Sequence, residues 1–467
     1  MKGRTPMRQR TSRSPLSILL PILILALCGA AAAQQHITGT LADGATYVID
    51  IPAKWNGTLL LYSHGYVASG SANPAYDVGD GTTGAFLLDN GYALAGSSYS
   101  TTGWAVHEAL PDQVSTLNVF DSLFGTPKQT IAWGHSMGGI ITAGLLQQYP
   151  TLFSAGMPMC GVVAGGVGFF NELLDPAFTF NTLVAGNSLQ LVNLTDPLTD
   201  YEDAEDWLGY AQETAQGQAR IALAAAMSDE PGWWDPGSPE PAQTDYTDRQ
   251  LNQFYWLAYD IFPFAFYYRA ELEGRAGGNP SWNVGVNYTK QLERSVDYPE
   301  VQALYKAAGL DLGADLITLT NAARIAVDTS AEDYLIQNII FNGKISVPVL
   351  ALHTTGDGLV PVEDEQAYLA TAKEGGNQAF VRDLFVHRAG HCTFTPAETV
   401  TAVKTLFARL ASGKWKGLTA TALNTEATDL GTGFNYLYLN DEYVYTAPAF
   451  ETYKSPQFLR PFDAFSQ

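Results

Sequence analysis

Residues 129–133 (QTIAW) run without a break into Gly134-His135-Ser136-Met137-Gly138-Gly139 and then into the stretch 137–148. The first reads as an apolar strand and the last as an amphipathic helix, so a serine stands at a strand-to-helix turn with glycine two positions to either side. So tight a turn forces the serine into a strained backbone conformation, and a Cβ at the flanking glycines would collide with the neighbouring strand and helix. The serine side chain is thereby presented at the edge of a sheet.

The surrounding chain supplies that sheet. Residues 38–51, broken by Ala42-Asp43-Gly44, read as a hairpin, and 58–62 (TLLLY) as an apolar strand ending at Ser63-His64-Gly65. Helices are expected over 86–90 and 106–124, and strands over 92–96 and 153–159. The alternation stops near Gly166 and resumes at 347–353 (VPVLALH), followed by helix 363–373, strand 380–386 and helix 396–410. Unalternating apolar strands separated by helices indicate an α/β class, with a doubly wound, mostly parallel sheet covered on both faces. Core is assigned to 34–166 and 345–412. Residues 167–344, rich in Ala and aromatics, read as a mainly helical domain inserted after the sixth core strand. In the extension 413–467, Tyr436 and Tyr438, then Asn440-Asp441-Glu442, then Tyr443 and Tyr445 suggest a hairpin.

The first residues give an address. Lys2, Arg4, Arg8, Arg10 and Arg13 precede an apolar run, 16–27, and small residues ending Ala31-Ala32-Ala33. This reads as a secretory signal peptide over 1–33, its apolar run well short of the about 20 residues that a membrane-spanning helix needs. Cys28 suggests a lipoprotein box, but Leu27 stands where a small residue is wanted. The expected location is therefore secreted or periplasmic, with no membrane association after cleavage. With 47 Asp and Glu against 25 Lys and Arg, the net charge of −22 makes phosphate backbones poor partners, so nucleic acid is excluded.

A serine hydroxyl needs a base, and histidine is the usual one. His391, in the loop after the last core strand, is the expected base, with His387 as runner-up. The base needs an acceptor to fix its tautomer, and Asp357, in Gly356-Asp357-Gly358 after the strand 347–353, lies at the same sheet edge. Glu363 and Asp364 are alternatives, though both sit where helix-capping acids belong. Donors for an oxyanion are expected from the backbone N–H of Met137 and, in Ser63-His64-Gly65-Tyr66, that of Tyr66. Neither a metal nor a cofactor is expected.

With its order Ser136, Asp357, His391, the chain resembles a secreted serine esterase of the α/β-hydrolase superfamily with a large lid, over residues 37–162 and 345–411. It is distantly similar to the tannase and feruloyl esterase group, whose cysteine after the catalytic histidine bridges to one before the serine. Here His391-Cys392 fits that pattern, His135 precedes the serine, and Cys160 would be the substitute partner. Two cysteines left in an exported chain independently read as one disulfide, and both Cys160 and Cys392 should lie at the carboxyl edge of the sheet.

In the inserted domain, nine of the fifteen residues 254–268 are aromatic. They are either its own core or, with Trp233, Trp234 and Trp256 foremost, the walls of an acyl pocket that would favour bulky or aromatic esters. The expected activity is hydrolysis of carboxylic esters, small or polymeric, through an acyl-enzyme. An exopeptidase or amidase with the same triad is the alternative, and a binding protein on an inactive scaffold a third. Ester against aminoacyl-anilide hydrolysis separates the first two.

Overall fold

A computed structural model describes Met1 and residues 34–461. The expected signal peptide, Cys28 included, lies outside the described residues except for Met1. The strands are β1 (Gln35–Thr40), β2 (Thr46–Ile51), β3 (Thr58–Ser63), β4 (Ala93–Ser97), β5 (Gln129–His135), β6 (Ala155–Met159), β7 (Val349–Gly356), β8 (Val381–Ala389), β9 (Tyr436–Leu439), β10 (Glu442–Tyr445) and β11 (Phe450–Glu451). Nine of them form one sheet in the order β1-β2-β4-β3-β5-β6-β7-β8-β11. The run from β4 to β8 is parallel, with β1, β2 and β11 antiparallel at the two ends. This is the α/β-hydrolase fold, with a helical insertion between β6 and β7.

The continuous apolar strands follow from burial on both faces. In β3 every residue is buried, with Leu59 and Leu61 joining one apolar layer and Leu60 and Tyr62 the other. The first layer is completed by helices Val106–Phe124 and Met137–Gln148, the second by helices Pro396–Ser412 and Ala420–Asp429. Helix Pro396–Ser412 shows how local chemistry sets its limits. Thr395 and Glu398 form a reciprocal capping box, Pro396 starts the helix, and Gly413 ends it at φ 69°.

Among the elements that differ from the sequence reading, two flank the sheet. The helix expected at 86–90 begins at Gly81, because the Asp80 side chain accepts from Thr83 N at 2.8 Å and starts it a turn earlier. Strand β11, two residues long, pairs with β8 and is too short to leave a pattern.

From Gly165 to Gln337 the insertion is built of helices, and no strand occurs there among the described residues. One long helical run, from Tyr246 to Ala276, is interrupted by two π-helical turns, Leu257–Ile261 and Pro263–Tyr267. Pro263 lacks the N–H that an α-helical ladder needs, and Tyr268 N reaches back five residues to Pro263 O at 2.8 Å. The C-terminal extension then ties the insertion down. Arg460, buried, grips both oxygens of buried Asp175 at 2.7 and 2.8 Å and donates to Trp282 O at 2.6 Å.

Candidate active site

Ser136 sits between β5 and helix Met137–Gln148 with φ 58° and ψ −124°, a strained conformation for a residue with a side chain. The glycines around it are sterically required. A Cβ at Gly134 or Gly138 would lie 2.3 or 2.0 Å from Ser63 O, and one at Gly139 would lie 2.4 Å from Gly161 Cα. The turn is held from the other side by Ser136 N donating to Met159 O at 2.9 Å.

Met159 leads into Cys160, which is bonded to Cys392 with a Cα–Cα distance of 5.3 Å. The bridge places the His391 loop beside the serine turn. His391 Nδ1 lies 2.8 Å from Asp357 Oδ2, and the carboxylate is oriented in turn by the N–H groups of Leu359 and Val360, both at 3.1 Å from Oδ1. Asp357 is buried and His391 partly exposed. This geometry fixes Nδ1 as the ring nitrogen that faces the acid. Nε2 lies 3.4 Å from Cys392 Sγ, and Ser136 Oγ makes no hydrogen bond among the described residues.

The loop after β3 arches over the serine. A Cβ at Gly65 would lie 3.3 Å from Ser136 Cβ, a tight contact that glycine avoids. His64, buried, braces it through Gly65 O at 2.7 Å and Ser98 O at 3.1 Å and stacks on Tyr99. Burial holds its pKa below the usual value, while the two carbonyl contacts pull the other way. The backbone N–H groups of Tyr66 and Met137 make no hydrogen bond among the described residues, which leaves both free for an oxyanion. The Tyr66 ring packs against Phe264 and Tyr268 of the insertion at 5.2 and 5.3 Å, and its buried hydroxyl has no partner among the described residues.

The other candidates fall elsewhere. His387 is exposed and pairs with Glu240 and Glu451, both at 3.1 Å. Asp364 accepts from Ala164 N at 2.8 Å, and Glu363 borders a cavity of about 290 Å³ that Asp357 also lines. Trp256 is fully buried, its ring against Gly358 and its indole N–H 3.2 Å from Trp233 O, so it buttresses the Asp357 turn and is not a pocket wall. Trp233 lines the same cavity as Asp357, and partly exposed Trp234 donates to Asp260 Oδ2 at 3.2 Å.

Three supporting groups escaped the sequence reading. His353, buried in β7, meets Glu365 at 2.9 Å and Asp357 at 3.7 Å. Burial opposes its charge, but Glu365 outweighs it and lifts the pKa to about 9, which favours the charged ring beside Asp357. His135, partly buried and 3.1 Å from the Tyr62 hydroxyl, is depressed to about 4 by desolvation and then by His391. Arg388 grips Glu398 at 2.6 and 2.9 Å and donates to Thr393 O at 2.8 Å, clamping the His391 loop from beneath. A bare histidine or arginine carries no pattern that announces such a role.

No protein-family model matches the chain. An o-phthalyl amidase of Xanthobacter agilis is 26% identical over 455 residues, covering 87% of this chain and 96% of its own. Among solved structures, an esterase from Aspergillus oryzae matches at 13% identity with a TM-score of 0.42, covering 82% of this chain and 80% of that one. The rice cell wall degrading esterase LipA from Xanthomonas oryzae matches at 16% identity with a TM-score of 0.37, covering 82% and 90%.

Proposed function

We propose that this chain, a hydrolase of the α/β type, cleaves carboxylic esters through an acyl-enzyme on Ser136, with His391 as base and Asp357 as its orienting acid. One observation carries the reading: Asp357 and His391 meet at 2.8 Å on the sheet edge where Ser136 is held in its strained turn. His391 Nε2 takes the proton of Ser136 Oγ as the oxygen attacks the acyl carbonyl. The oxyanion is met by the N–H groups of Met137 and Tyr66, the first at a helix N-terminus where the backbone dipole adds to it. Return of the proton from Nε2 expels the leaving group, and water repeats the cycle on the acyl-enzyme. The Ser136 to His391 hydrogen bond forms as substrate arrives, since such contacts commonly tighten only in the complex.

The insertion acts as a lid in this reading. Phe264 and Tyr268 stand against Tyr66, so the acyl group would enter an aromatic wall that suits bulky or aromatic acids. The Cys160–Cys392 bridge fits an oxidising compartment, in line with export outside the cytoplasm. A second reading, amide hydrolysis by the same groups, is favoured by the likeness to the o-phthalyl amidase along nearly its whole length. Matched p-nitrophenyl benzoate and benzoyl p-nitroanilide test both. Ester turnover that vanishes in Ser136→Ala is expected; anilide turnover at a comparable rate would favour the amidase.

A further inference from the structure

Between the two π-helical turns and the His391 loop lies a group of side chains that the acyl-transfer chemistry does not use. Asp260 is in the first turn, Leu257–Ile261. Such turns are rare and cluster at functional sites, because the extra residue re-aims side chains that an α-helix would direct elsewhere. One Asp260 oxygen accepts from the Trp234 indole N–H at 3.2 Å, and the other has no hydrogen bond among the described residues. Burial lifts its carboxyl to about 6, the Trp234 N–H and then His391 favour the anion, and Asp357 opposes it, with Glu230 a further acid nearby.

Trp234 also gathers two tyrosines. Its ring lies 5.3 Å from Tyr255 and 5.6 Å from Tyr259, tilted 42° and 41°, and the two tyrosines are nearly parallel at 6.1 Å. Tyr259 is 57% exposed and the other two rings are partly exposed, so this is an open aromatic wall and not interior packing. An apolar ligand would gain from the rings alone. A carboxylate at their edge, with one oxygen unpartnered, adds what a cation needs: ring faces of negative potential and a counter-charge.

We propose that Trp234, Tyr255, Tyr259 and Asp260 form a subsite for an alkylammonium group on the leaving-group side of the substrate. The side follows from the chemistry and from packing: His391 protonates the departing atom, so the groups carried by that atom pass the His391 loop, against which the segment carrying Trp234 lies, with Trp233 5.5 Å from His387 and Pro236 beside Gly390. The proposal rests on the acyl-enzyme reading, which alone gives the leaving-group side its meaning. The substrate class is then an ester of an amino alcohol, or an amide of a diamine, with an acyl part that faces Tyr66.

Benzoylcholine and 3,3-dimethylbutyl benzoate differ only in a nitrogen replaced by carbon. The wild-type protein should prefer the charged ester by about tenfold in kcat/KM, and in Asp260→Asn the ratio should fall to about two- to threefold, the part left to the ring faces. A ratio near one in the wild type would overturn the subsite. So would an unchanged ratio in Asp260→Asn with both rates lowered, which would make Asp260 a partner of His391 instead. Should neither ester be cleaved, the acyl-enzyme reading fails first, and calorimetry with choline itself decides the subsite. Saturable binding lost in Asp260→Asn upholds it, and no binding to the wild type removes it.

Discussion

His391 Nε2 lies 3.4 Å from Cys392 Sγ, so the proposed base is in contact with one end of the bridge that anchors its own loop to the strand beside Ser136. The bond to Cys160 spans 232 residues of chain, including the whole insertion and Asp357. Its loss should be felt first at the site, where a displacement of about 1 Å can cost roughly a hundredfold in rate. Mild reduction, or Cys392→Ala, is expected to lower kcat by about ten- to a hundredfold while the far-ultraviolet dichroism stays native. Full activity after verified reduction would show that packing alone holds His391.

The extension and insertion are joined by Arg460 and Asp175, both buried. Removing one partner of such a pair strands the other charge, at about 3–5 kcal/mol. Arg460→Ala should therefore lower the melting temperature or split the calorimetric transition, whereas exchanging exposed Lys416 for Ala should do neither. An unchanged melting profile would mean that the insertion holds to the core without this strap.

How much of this could be read from the chain alone divides along physical lines. The parallel core was legible because burial on both faces leaves continuous apolar runs such as Leu59-Leu60-Leu61, and the serine turn because its glycines answer a steric demand from the Ser63 backbone. Asp357 and His391 could be named from their positions after core strands, and the structure sets them 2.8 Å apart. The aromatic run was visible but its division was not. Trp256 faces Gly358 and is buried, while Phe264 and Tyr268 reach Tyr66, and that partition depends on two π-helical turns that no periodicity signals. The β11 pairing and the Arg460 clamp are set by tertiary contacts more than 60 residues from their partners in sequence, which local pattern cannot show.

Asp229 gives a pH prediction. Burial, then the nearby Asp297, lifts its carboxyl to about 8; Oδ1 accepts from Val296 N at 3.1 Å and Oδ2 has no hydrogen bond among the described residues. A carboxyl raised on folding contributes fully below the ordinary value near 4, and that contribution drains as pH climbs until it is gone above about 8. Asn keeps the contact to Val296 and tolerates the φ of 53° found here. Asp229→Asn should melt about 2 °C higher than the wild type at pH 8.5, with the gain shrinking or reversing at pH 5. An equal shift at both values would show that this group does not titrate on folding.

The aromatic wall predicts acyl preference. Phe264→Ala should lower the rate on benzoyl esters relative to acetyl esters by about tenfold, since one large side chain is worth about 1–3 kcal/mol of discrimination in an apolar pocket. Trp256→Phe, which alters a buried buttress, should change both rates together. Equal effects on the two esters in Phe264→Ala would place the acyl group elsewhere.

The account stands on a covalent bond at Ser136. A fluorophosphonate probe followed by peptide mass analysis should place one label per chain on Ser136, and none in a folded Ser136→Ala protein, whose ester turnover should fall by roughly 10⁴-fold or more. A label on another residue, or near wild-type turnover in Ser136→Ala, would contradict it.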